Sequence, residues 1–146
     1  MIYSRSAEYA IRAFVHLAQI PDGKFAMARH IAGAEQIPAH FLAKILQELT
    51  RKGLLRSNKG PSGGFSLRIP AARIKLIEIV EALDGPMSKR PPLEAPWILD
   101  SWKDLHSRIM DSLGRNTIAD LAAAVQQQKL AQEKAKRGGR SVTKKG

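Results

Sequence analysis

The chain has 146 residues and a formal charge of +11, with 24 Lys and Arg against 13 Asp and Glu and a pI near 10.4. A domain this basic points to a polyanion partner, most often nucleic acid. The absence of cysteine excludes disulfides and thiolate-held metal or iron–sulfur centres. No stretch approaches the roughly 20 apolar residues that cross a bilayer, and the opening MIYSRSAEYA lacks a signal-peptide core, so a cytoplasmic protein is expected.

In chain order, a first helix is predicted from Ser4 or Ser6, both good caps, to about Gln19, with Ala10, Ile11, Phe14, Val15 and Ala18 on its apolar face. Pro21, Asp22 and Gly23 make a turn. A short helix follows over about 26–34, with Met27, Ile31 and Ala32 facing inward. The next helix opens at Pro38, a residue suited to a first turn because its missing N–H would be unpaired there. Leu42, Ile45, Leu46 and Leu49 then recur at i, i+3, i+4 and i+7 and form its apolar face. Its other face carries His40, Ala43, Lys44, Gln47 and Arg51. Two helices this close read as a helix-turn-helix, although an ordinary helical hairpin has the same pattern.

Gly53 stops that helix. Leu54 and Leu55 begin an extended segment, and KGPSGG over 59–64 is a tight turn. Phe65, Leu67 and Ile69 alternate with Ser66 and Arg68, the period of a half-buried strand. A helix-turn-helix followed by a glycine-tipped basic hairpin is a winged helix, whose helix lies in a DNA groove while the loop crosses the backbone.

Pro70 ends the strand. A further helix is expected over about 75–83, with Leu76, Ile79, Val80 and Leu83 inward, closed by Gly85 and Pro86. Four prolines in 86–96 make a linker. From Trp97 to Leu113 the chain reads as helix, broken by Gly114. Ile98, Trp102, Leu105, Ile109 and Leu113 alternate steps of four and three, a coiled-coil-like seam. The expected partner of that seam is a second copy; packing back onto its own domain is the alternative. Thr117 and Asp120 cap another helix with Leu121 and Val125 inward. From Lys129 the tail has seven basic residues and one acid, and is expected to stay unfolded.

The predicted organisation is therefore mainly α with a small β-hairpin. It comprises a winged helix-turn-helix domain over 1–85, a proline-rich linker over 86–96, dimerisation helices over 97–128 and a basic tail over 129–146. His40, Ala43, Lys44 and Gln47 face the major groove. There Lys44 suits guanine acceptors and Gln47 suits adenine. His40 touches either a base edge or a phosphate, and Ala43 either meets a thymine methyl or permits close approach. Lys59, with Gly60 and Ser62 beside it, belongs to the minor groove. Arg29, Arg51, Arg56, Arg5 and Arg68 are candidate phosphate contacts, which position a protein without reading sequence.

Several segments resemble the Rrf family of bacterial winged-helix transcription regulators. They are SAEYAIRAFVHLA, HIAGAEQIP, FLAKILQELTRKGLL, KGPSGGFSL and IKLIEIVEALDG, followed by W-x-x-L at Trp102 and TIADL at Thr117. The likeness covers about 1–125 and is specific in the wing. It implies a homodimer on a roughly palindromic operator, with the helix from Trp97 forming much of the interface. Sensing members hold an iron–sulfur cluster on three cysteines in the segment that is a cysteine-free linker here. Glu8 matches a carboxylate that helps ligate the cluster in some relatives, but alone it is expected to serve its own helix. No cofactor and no metal site is therefore expected. His16, His30, His40 and His106 are too scattered to be ligands, and no nucleophile–base arrangement suggests an enzyme. A protein-interaction adaptor controlled by a partner is the other reading, and any small-molecule or protein effector is unnamed by the sequence.

Overall fold

A computed structural model describes residues 3–61, 63–87 and 96–142. Helix α1 spans Arg5–Ala18, and the choice between the two serines falls on Ser4. Its hydroxyl accepts from the Ala7 N–H at 3.1 Å. The Ser4 N–H also donates to the Asp84 carboxylate at 2.7 Å, and the Ser4 hydroxyl donates to its other oxygen. One residue thus caps a helix and ties the chain's start to a segment 80 residues away. Ala7, Ala10, Ala13, Phe14, Val15 and Leu17 are the buried face of α1.

Helix α2 (Ala28–Glu35) ends at Gln36, whose φ of 55° and ψ of 48° are left-handed. It is the one non-glycine residue with positive φ among those described. A side chain there costs about 1 kcal/mol relative to glycine. Gln36→Gly is therefore expected to raise stability by about that much, read as a shifted urea midpoint at constant slope. An unchanged or lower midpoint would show that the turn is not strained.

Helix α3 (Ala39–Arg51) begins one residue after Pro38, which serves as its cap residue. Leu42, Ile45, Leu46 and Leu49 are all buried, as their spacing predicts. The helix closes in a Schellman arrangement: Leu54 N–H donates to Leu49 O at 3.0 Å and Gly53 N–H to Thr50 O at 3.1 Å, with Gly53 at φ 81°. Lys52 at this end reaches Glu48 at 3.2 Å and the Ala82 carbonyl, which pins α3 to the following helix.

Strands β1 (Leu55–Asn58) and β2 (Gly64–Leu67) pair antiparallel in the register Leu55 to Leu67 and Asn58 to Gly64. A third segment joins the other edge of β2. Ala26 and Phe65 exchange both backbone bonds, at 2.9 and 2.8 Å. The strand ends at Leu67, short of the expected Ile69. Ser66, expected on the outer face, is 8% exposed and more buried than Phe65 or Leu67. The simple alternation fails because the Ser66 side of β2 lies against the end of α1, where Ser66 lines a cleft with Leu17 and Ala18.

A 3-10 turn (Ala71–Arg73) leads to α4 (Leu76–Asp84), then α5 (Pro96–Arg115) and α6 (Ile118–Val142). Gly114 does not break α5. The turn comes two residues later, where the Asn116 amide caps the Ser112 carbonyl at 2.7 Å and two tertiary bonds fix the chain. Those bonds run from Leu76 N–H to Asn116 O at 3.0 Å and from Ile118 N–H to Ile74 O at 2.9 Å. Thr117 and Asp120 then cap α6 reciprocally, at 2.8 and 3.2 Å, as their spacing predicts.

Ile118 is fully buried with α1 and α3 residues, and Leu121, Ala122 and Val125 pack against the same core. The hydrophobic core therefore runs across the boundary expected between winged domain and late helices. The tail expected to stay unfolded is helical through Val142. Its stretch QQQKLAQEKAK consists of good helix formers. It extends from a half-helix already nucleated by packing, which removes the costly first step. Residues 126–139 are all exposed, so this extension rests on propensity and not on burial.

Candidate nucleic-acid interface

Because Leu42, Ile45, Leu46 and Leu49 must face the core, helical geometry turns His40, Lys44, Gln47 and Arg51 outward. All four are exposed, while Ala43 on the flank is half-buried. The hairpin that follows directly from α3 carries Arg56, Lys59 and Gly60, each exposed. Arg29 is exposed in the first turn of α2, with its guanidinium 3.8 Å from Met27 Sδ. Ser62 lies outside the described residues. Thr50, on the Ala43 side of α3, spends its hydroxyl on the Leu46 carbonyl at 2.8 Å.

The cations of this face have no carboxylate partner among the described residues. Among those residues the ion pairs are Arg12–Glu8, Lys52–Glu48, Arg108–Asp104 and Arg115–Asp111, and His16 Nδ1 lies 3.1 Å from the Glu35 carboxylate. None involves Arg29, Lys44, Arg51, Arg56 or Lys59. Cations held at the surface without carboxylates keep their full attraction for an external polyanion.

Three residues that the sequence left unassigned sit beside this face. Lys24 and His30 line a cleft of about 400 Å³ with Asn58, Pro61 and Gly63, which brings the turn after α1 and the start of α2 up to the wing loop. The Ala26–Phe65 pairing holds the segment between them against the wing, and no short-range pattern announces it. Phe41 is 53% exposed on α3. Its position beside Leu42 makes it read as an edge of the apolar stripe.

The expected seam divides. Leu105 is 47% exposed, whereas Leu113 packs with Met110 against Ala7, Val80 and Met87 of its own chain. Ile109 is half-buried. The backbone at Ile98 and Trp102 is helical, and their side chains lie outside the described residues. The linker segment 88–95 does too.

A thiolate-held cluster does not fit the donors present. The sequence has no cysteine. Glu8, the matched carboxylate, is 3.9 Å from the Arg12 guanidinium one turn on. Among the described residues no three His, Asp or Glu side chains gather as a metal site. No helix among them is long and apolar enough to cross a membrane.

Comparison with known proteins agrees with this geometry. The family model for Rrf2, described as an iron-dependent transcriptional regulator, matches residues 3–124. A Mycobacterium tuberculosis chain, Rv1287, named as a helix-turn-helix-type transcriptional regulator, is 32% identical over 141 residues, covering 90% of this chain and 88% of its own. The structure of CymR, the global cysteine regulator of B. subtilis, superposes with a TM-score of 0.74 at 25% identity, over 83% of this chain and 95% of that one. T. potens IscR shares the fold, with a TM-score of 0.70 at 24% identity over 84% and 86%. A winged helix-turn-helix matched by the family model over most of its length, and by a relative 32% identical to it, places this chain in the Rrf2 family of transcription regulators.

Proposed function

We propose that the protein regulates transcription as a homodimer on a palindromic operator, without an iron–sulfur cluster. The observation that carries this reading is the set of unpaired cations on α3 and the wing, joined to the exposed Leu105 of α5. In each subunit α3 enters the major groove. Lys44 donates to guanine O6 or N7, and Gln47 pairs with adenine N6 and N7. Arg29, Arg51 and Arg56 hold phosphates, while Lys59 and Gly60 bring the wing to the minor groove. His40, in the first turn of α3, sits where side chains reach base edges. A second copy covers Leu105, and two-fold symmetry makes the operator a repeat of half-sites.

The test is selection of genomic fragments by the purified protein, followed by binding titrations on the recovered sequence. A two-fold related sequence should emerge, and affinity should fall steeply with salt. Retention of no fragment, or salt-independent retention, would refute the reading. Lys59→Ala is expected to weaken operator binding by about tenfold in a gel-shift titration and to lower the salt slope by about one. Equal affinities for the two proteins would remove the wing from the contact.

A further inference from the structure

The roles assigned to α3 leave Phe41 unused. It is one of four large apolar side chains exposed among the described residues, at 53%. Its neighbour Leu42 is fully buried, so the helix has an apolar site for one residue here and turns the other into water. Phe41 stands one residue after His40 and three before Lys44, and residues three or four apart share a helix surface. His40, Phe41 and Lys44 therefore form one patch in the N-terminal half of α3. The His40 and Phe41 rings lie 4.4 Å apart between centroids, tilted by 37°, so the imidazole braces one side of the phenyl group. Exposed His40, Lys44, Gln47 and Arg51 continue this patch along the helix. An apolar ring beside the unpaired Lys44, on a polar face that continues to Arg51, suits a ligand that is a polyanion with an apolar feature, and not an apolar protein surface.

Resting on the DNA-binding reading above, we propose that Phe41 is a specificity residue that reads thymine through its C5-methyl group. Thymine is the one base that presents an apolar group in the major groove, and no hydrogen-bonding side chain can recognise that group. One helical turn rises about 5.4 Å, against about 3.4 Å between base pairs. The thymine read by Phe41 thus lies within about two base pairs of the guanine taken by Lys44. Ala43 lies half-buried on the opposite flank of α3, so a uracil penalty that survives in Phe41→Ala would assign the methyl contact to it instead.

The test uses the operator recovered by genomic selection, with each thymine replaced in turn by deoxyuridine, which deletes the methyl alone. Wild-type protein should lose about fourfold in affinity at one thymine per half-site, the effect of one buried carbon. Phe41→Ala should bind the thymine and uracil operators equally and stay folded, with a cooperative thermal melt, because the ring is half exposed and outside the buried core. Phe41→Leu, which keeps an apolar tip, should recover part of the thymine preference. A penalty that survives in Phe41→Ala, or no penalty at any thymine in the wild type, would overturn the proposal and leave DNA binding standing. Failure of the wild type to retain any fragment would overturn the reading beneath it.

Discussion

Leu105→Asp should convert the protein to a monomer in sedimentation velocity while leaving the subunit folded, with a native-like circular dichroism spectrum and a cooperative melt lowered only by the lost association. The two halves of that expectation come from one fact. Leu105 is 47% exposed in the single chain, so a carboxylate there stays hydrated and costs the subunit little. Covered by a second copy, the same carboxylate would be desolvated without a partner, at several kcal/mol. Operator affinity should then fall by at least about a hundredfold, because the second half-site is no longer delivered at high effective concentration. Binding to nonspecific DNA should change far less. A variant that sediments as a dimer would move the interface off this face of α5. Leu113 is the wrong site for the experiment, since it also packs against Ala7, Val80 and Met87 in its own chain.

Gly64→Ala should destabilise the fold by about 3–5 kcal/mol, a large share of the roughly 5–15 kcal/mol of an ordinary domain. A Cβ at residue 64 would lie 2.2 Å from the Ala26 carbonyl oxygen, 2.4 Å from its carbon and 2.8 Å from Met27 N. These are backbone atoms and cannot swing aside. The φ of 135° adds strain that side chains rarely bear. Relief requires breaking the paired Ala26–Phe65 bonds, at about 1 kcal/mol each. Those bonds also bring the segment before α2 onto the hairpin, so the surviving folded molecules should lose operator affinity as well. The matched control is Gly114→Ala. It lies inside α5 with nothing within 4 Å of an added Cβ, and should stabilise by about 0.5–1 kcal/mol. Urea titration of both variants separates the outcomes. A loss below about 1 kcal/mol at residue 64 would mean that the wing's third segment is dispensable.

Local pattern carried much of the architecture. The spacing of Leu42, Ile45, Leu46 and Leu49 set the buried face of α3 and so its outward one. Gly53 and the Thr117–Asp120 pair marked ends that the hydrogen bonds then show. Each of these depends on residues within a few positions, where periodicity and capping chemistry act. The misjudged points share the opposite property. Gly114 read as a breaker, yet α5 ends where the Ile74–Leu76 segment offers backbone partners to Asn116 and Ile118. The tail is expected to stay unfolded because its Gly-, Ser- and Lys-rich end buries too little apolar surface, whereas helix propensity and an anchored N-terminal half extend α6 to Val142.

The sequence by itself determined the helix-turn-helix, the hairpin, the polar face of α3 and the absence of thiolate ligands, because each follows from neighbouring side chains and from composition. Only the tertiary structure decided that Ala26 makes the wing three-segmented, that Ser66 is buried and Phe41 exposed, and that Leu113 faces its own chain while Leu105 does not. Those outcomes depend on which distant segment occupies each side of an element, and burial is a property of that neighbour and not of the residue alone.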